Sequence, residues 1–96
     1  MESEIVGTIQ EAFDEDRVEV TQHFWDELRA DGFFLADVRS ALDAIAVMRD
    51  AGHDRAGNPK FEVTGPACDG RALSVVCSIR ETGSVLLITA YEAKKP

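Results

Sequence analysis

A chain of 96 residues and 10.5 kDa has room for one domain and one core, and it buries only about two-thirds of its unfolded surface on folding. Apolar residues make up 45% and charged residues 29% of it, an ordinary globular balance that excludes a disordered chain. The formal net charge of −8 argues against broad, sequence-independent binding of nucleic acid, which needs a basic surface, while leaving room for a local basic patch.

Most of the acidity lies at the start. Glu2, Glu4, Glu11, Asp14, Glu15, Asp16 and Glu19 stand there against Arg17 alone, and the remainder is nearly neutral. Over residues 3–15 the period is helical: Ile5, Val6, Ile9, Ala12 and Phe13 share one side, and Glu4, Glu11, Asp14 and Glu15 the other. Residues 1–17 are therefore expected to form an acidic amphipathic helix ahead of a domain over 18–96. It would pack on the sheet or on other helices, bind a partner, or lie across the second face of the sheet. The acidic opening Met1-Glu2-Ser3-Glu4 lacks a signal peptide's basic flank, and no apolar run reaches the ~18 residues of a bilayer span. The expected setting is cytoplasmic, away from membranes.

Residues 17–20 read as short and extended. Thr21 suits the N-cap of a helix running to about Ala30, with Phe24, Trp25 and Leu28 inward and Gly32 as its stop. A further helix is expected from about Leu35, with Val38, Ala41, Leu42 and Ile45 inward. The period then changes to alternation, and Ala46–Arg49, Lys60–Thr64, Arg71–Ile79 and Ser84–Tyr91 read as strands. Turn-rich stretches over 50–59, 65–70 and 80–83 separate them. Connections this short allow only antiparallel neighbours. The expected fold class is α+β: two to three N-terminal helices packed on one face of an antiparallel sheet of about four strands.

Strict alternation places Phe61 and Val63, then Leu73, Val75, Cys77 and Ile79, then Leu86, Ile88 and Ala90 under the helices. The opposite face would carry Lys60, Glu62, Thr64, Ser74, Val76, Ser78, Val85, Leu87, Thr89 and Tyr91. Such a mixture serves as wet surface or as a binding face. Cys68 and Cys77 read as free structural thiols without zinc-type spacing. Asp50, His53 and Asp54 could be imagined as metal ligands, but a solvated hairpin loop is the better reading, since no fourth ligand is visible. Nothing implies a cofactor.

The runs Val20-Thr-Gln-His-Phe-Trp-Asp-Glu-Leu-Arg29 and Gly32-Phe-Phe-Leu-Ala-Asp-Val-Arg-Ser-Ala-Leu42 resemble the opening of a domain-of-unknown-function family of small prokaryotic proteins (the DUF 4258 type). Asp54-Arg-Ala-Gly-Asn-Pro-Lys60, Gly70-Arg-Ala-Leu-Ser-Val-Val76 and Leu87-Ile-Thr-Ala-Tyr-Glu92 extend the resemblance over roughly residues 18–92. That family looks allied to the compact ribonuclease toxins of the RelE, BrnT and MqsR kind. The alliance implies a RelE-like fold whose sheet face holds RNA, and metal-independent cleavage by attack of the ribose 2′-hydroxyl on the adjacent phosphate. Such chemistry needs a base, an acid and groups around the phosphate. The resemblance assigns catalysis to His23, Thr89 and Tyr91, and substrate binding to Lys60 and Arg71. It departs at Glu27 and Asp31, where the family carries basic residues and where acids would repel a phosphate.

Each of these residues has an ordinary structural alternative. His23 suits the first turn of a helix, Thr89 and Tyr91 suit a strand end, Lys60 an edge, and Arg71 a surface ion pair. Two classes of function are carried forward. One is a toxin-antitoxin ribonuclease that cuts or binds RNA and is held by an antitoxin. The other is a non-catalytic relative acting as an acidic protein-binding or regulatory module. A homodimer is expected through an exposed last strand.

Overall fold

The computed structural model describes residues 2–93. The order of elements is α1 (Glu2–Asp14), β1 (Val18–Val20), α2 (Gln22–Ala30), α3 (Leu35–Asp43), β2 (Val47–His53), β3 (Pro59–Pro66), β4 (Ala72–Ile79) and β5 (Val85–Glu92). The class is α+β, with three helices and a five-stranded sheet.

The sheet runs β1-β5-β4-β3-β2. Four strands form the expected antiparallel meander. The fifth, β1, pairs parallel with β5 through Val18–Val85, Glu19–Leu86 and Val20–Leu87, so the sheet is mixed rather than antiparallel throughout. The short-connection argument fails here because two helices and three strands separate the partners in sequence. Strand β5 is therefore internal over its first half. The edges of the sheet are β1 and β2, and β1 flanks β5 only over Val85–Leu87.

Capping chemistry sets both short helices. At α2 the Thr21 Oγ1 accepts the Phe24 N–H at 3.0 Å and donates to the Ile88 carbonyl at 3.0 Å, while the Thr21 N–H reaches the Leu87 carbonyl at 3.1 Å. One residue thus starts the helix and fastens it to β5. Gly32, at φ +74°, ends the turn in the left-handed region that glycine tolerates. At α3 the buried Asp37 carboxylate accepts the Phe34 N–H at 2.7 Å and the Cys68 N–H at 2.9 Å. These backbone hydrogen bonds hold its pKa below the ordinary carboxylate value. Ser40 Oγ donates to the Pro66 carbonyl at 2.7 Å, laying α3 against β3.

The core lies between the helices and one sheet face. Phe24, Leu28, Leu42, Leu73 and Leu87 are each at most 1% exposed, and each such side chain contributes roughly 1.5–3 kcal/mol on burial. Helix α1 adds Ile9 and Ala12 to the same core, with Ile5 and Phe13 packed against it. Its Gln10 side chain donates to the Leu42 carbonyl at 2.9 Å, and Arg39 of α3 pairs with Asp14 at 2.7 Å. Helix α1 thus packs with the other helices and does not cover the second sheet face.

The alternation expected in β5 breaks at one residue. Thr89 pairs with Val76, but Leu87 pairs with Cys77, which leaves Ile88 as a β-bulge. Val85, Leu87 and Ala90 are therefore the buried residues of this strand, and Leu86 turns to the open face. The expectation for Leu86, Val85 and Leu87 was inverted because a bulge resets the side-chain parity of everything on one side of it.

Candidate functional site

The face of the sheet away from the helices is bare, and the strand register orders it into rows. Val47, Thr64, Ser74 and Tyr91 form the first row, and Arg49, Glu62, Val76 and Thr89 the second. Lys60, Ser78 and Leu86 form the third. Adjacent rows lie about 7 Å apart, two residues along each strand.

The first two rows enclose a shallow hollow of about 270 Å³, lined by Arg49, Glu62, Thr64, Ser74 and Tyr91 among others. Thr64 and Ser74 hydroxyls stand 2.7 Å apart across it. Tyr91 is 37% exposed. Burial, and then the neighbouring Glu62 carboxylate, raise the pKa of its phenol, while Ser74 and Arg49 act in the opposite sense. The phenol therefore stays protonated at neutral pH, beside a carboxylate and a guanidinium. A hydroxyl donor, a carboxylate acceptor and a cation in one hollow are the groups that proton transfer at a phosphate requires.

The structure treats the expected site residues differently. Tyr91 and Thr89 lie on the open face as alternation required. Lys60 also lies there, at the far end, in a second hollow with His53, Arg55 and Arg80. His23 is exposed on the first turn of α2 and lines neither hollow. The expected convergence of His23 with Tyr91 is absent, because the helix is fixed along β5 by Thr21 and by the burial of Phe24 and Leu28.

Arg71 is a structural clamp. Its guanidinium lies 4.1 Å over the Phe33 ring and donates to the Asp31 carbonyl at 2.9 Å, the Gly32 carbonyl at 3.2 Å and Asp69 at 2.8 Å. It also meets Glu92 at 3.4 Å. The hydrogen bond it donates to Asp69 raises its pKa, and its donors are directed at the protein. The Asp31 carboxylate accepts the Glu92 N–H at 2.8 Å and so serves the α2–β5 junction.

Arg49 and Glu62 had no assigned role in the sequence, nor did His53 beyond the metal reading already set aside. The signal for the first two lay in the pairing of β2 with β3, which faces Arg49 to Glu62. Pairing is not visible from either strand alone. Cys68 and Cys77 are free, and burial pushes the Cys77 thiol up to about 12. Among the described residues, no group of three or more His, Cys, Asp and Glu side chains is placed to hold a metal ion. No described helix is long and apolar enough to cross a membrane.

Three helices on one side of a mixed sheet, with polar rows bare on the other, define an α+β protein with a single open sheet face. The chain belongs to the family described as Domain of unknown function (DUF4258), which matches residues 20–92. The match begins after α1. No curated protein matches the chain.

Proposed function

We propose that the chain acts on RNA across the open sheet face, as a metal-independent endoribonuclease of the RelE-like toxin kind whose centre is the Tyr91 hollow. One observation carries this reading. Among the described residues, Arg29, Arg49, Arg55 and Lys60 form no ion pair, and all but Arg29, on α2, stand at the open face. Arg17, Arg39 and Arg71 are engaged with carboxylates elsewhere. In a chain of net charge −8, unpaired cations gathered on the bare side suit a phosphate backbone.

In this reading Glu62 takes the proton of the ribose 2′-hydroxyl, and the freed oxygen attacks the adjacent phosphorus. The bond to the 5′-oxygen breaks and that oxygen takes the Tyr91 proton. The products are a 2′,3′-cyclic phosphate and a 5′-hydroxyl. Arg49 offsets the charge that builds on the phosphate. Thr89, in the same row as Arg49 and Glu62, supplies a further hydroxyl.

The test is cleavage of single-stranded RNA by purified protein at low salt, in the presence of a chelator. Tyr91→Phe is expected to lower the rate roughly 100-fold or more, and His23→Ala to leave it nearly unchanged. Equal loss in both variants would return catalysis to α2.

The second reading, a protein-binding module, rests on Phe34 and Leu35, which are 76% and 48% exposed at the start of α3. An intact, uncleaved RNA together with loss of a protein partner on Phe34→Ser would favour it. An antitoxin would be one such partner.

A further inference from the structure

The hollow around Lys60 has a volume of about 480 Å³. That volume lies within the usual range for small-molecule sites. Its floor is apolar, made by Leu86 and Ile88, and its rim carries the cations Arg55, Lys60 and Arg80 together with His53 and the Asp54 carboxylate. The bulge in β5 turns Leu86 to this face, where strict alternation would have put it under the helices.

The acids at this end are already occupied. Asp54 accepts the backbone N–H groups of Ala56 and Asn58 and the Asn58 side-chain amide. Glu19 is bound to Arg80. Among the described residues Arg55 and Lys60 form no ion pair, although the Asp54 carboxylate lines the same hollow.

Ser78 lies between Lys60 and Leu86 across the sheet and is buried, with its hydroxyl toward the Asp54 carboxylate.

An apolar floor under a cationic rim selects an anion that also carries a flat, weakly polar group. Bare phosphate would leave Leu86 and Ile88 unused, and a fatty carboxylate would leave most of the rim donors unused. We propose that this hollow is a nucleoside-monophosphate site. The base lies on Leu86 and Ile88 with the flat groups of His53 and Arg55 beside it, and Lys60 with Arg55 holds the phosphate. Lys60 is four residues from Thr64 on β3, so this site lies about 13 Å from the Tyr91 hollow, within reach of one RNA strand. The proposal rests on the open face being an RNA surface and adds a fixed base-binding subsite to it.

The test is titration of isotope-labelled full chain with AMP, UMP and inorganic phosphate at low salt, followed by amide NMR. Either nucleotide is expected to shift the amides of Asn58, Lys60, Ser78, Leu86 and Ile88 saturably. The Arg55→Ala, Lys60→Ala double variant should weaken binding about tenfold or more, and Tyr91→Phe should not. Equal shifts and affinity with inorganic phosphate would overturn the proposal, as would absence of any saturable shift with nucleotides while an RNA oligomer still binds. If nucleotides bind here but an RNA oligomer binds no tighter and shifts no residue of the Tyr91 hollow, the site stands and the RNA-surface reading falls.

Discussion

The Asp31 carboxylate accepts the backbone N–H of Glu92 at 2.8 Å, joining the C-terminal end of α2 to the end of β5. Arg71 completes the junction by donating to the Asp31 carbonyl at 2.9 Å. A residue that looks in sequence like a charge misplaced beside a phosphate is a splice between two elements. Hydrogen bonds to charged groups contribute about 1.5–3 kcal/mol, so Asp31→Ala is expected to lower unfolding stability by about 1–2 kcal/mol in urea titration. Asp31→Arg, which reverses the charge, should be at least as destabilising and should not improve RNA binding.

Asp37 makes stability depend on acid. Its pKa in the folded state is depressed below 3.8, first by the Phe34 N–H and next by the Cys68 N–H. A depressed folded-state value means the unfolded chain binds the proton more readily. The stabilisation is thus fully present above the unfolded value and is lost as pH falls through the folded one. Thermal unfolding followed between pH 6 and about pH 2 should show a decline below roughly pH 4. Asp37→Asn should flatten part of it, and Asp37→Ala should cost about 2 kcal/mol at neutral pH.

Gly65 is needed for close approach rather than for a special backbone angle. A Cβ at this position would overlap the Ala41 carbonyl of α3, where α3 crosses β3. Gly65→Ala is expected to destabilise by about 1–3 kcal/mol through displacement of α3. Differential scanning calorimetry measures this directly. Gly7, whose added Cβ meets nothing within 4 Å, should accept Ala with no loss.

The sequence was most readable where the signals are local. Thr21 and Gly32 bracket α2 because a cap and a left-handed stop act within a few residues, and α3 begins at Leu35 as its apolar spacing requires. Two non-local events were not readable. One is the parallel docking of β1 on β5, for which neither strand carries a mark. The other is the bulge at Ile88, which inverted the facing of Val85, Leu86 and Leu87. The same limits apply to the site. Tyr91, Thr89 and Lys60 were placed correctly on the open face, since alternation holds through β3 and beyond the bulge. Arg49 and Glu62 became neighbours only through pairing. Arg71 and Asp31 show their charge in the sequence but not their backbone partners, which depend on the folded α2–β5 junction.

The most direct test of the account is salt-dependent binding of a short single-stranded RNA by fluorescence anisotropy. It compares the wild-type chain with Arg49→Glu, Lys60→Glu on the open face and Arg29→Glu on the helix side. The double reversal is expected to weaken binding at least tenfold and to flatten the salt dependence by about two counterions, and Arg29→Glu to change neither. Absence of wild-type binding at low salt, or equal loss in both variants, would contradict it.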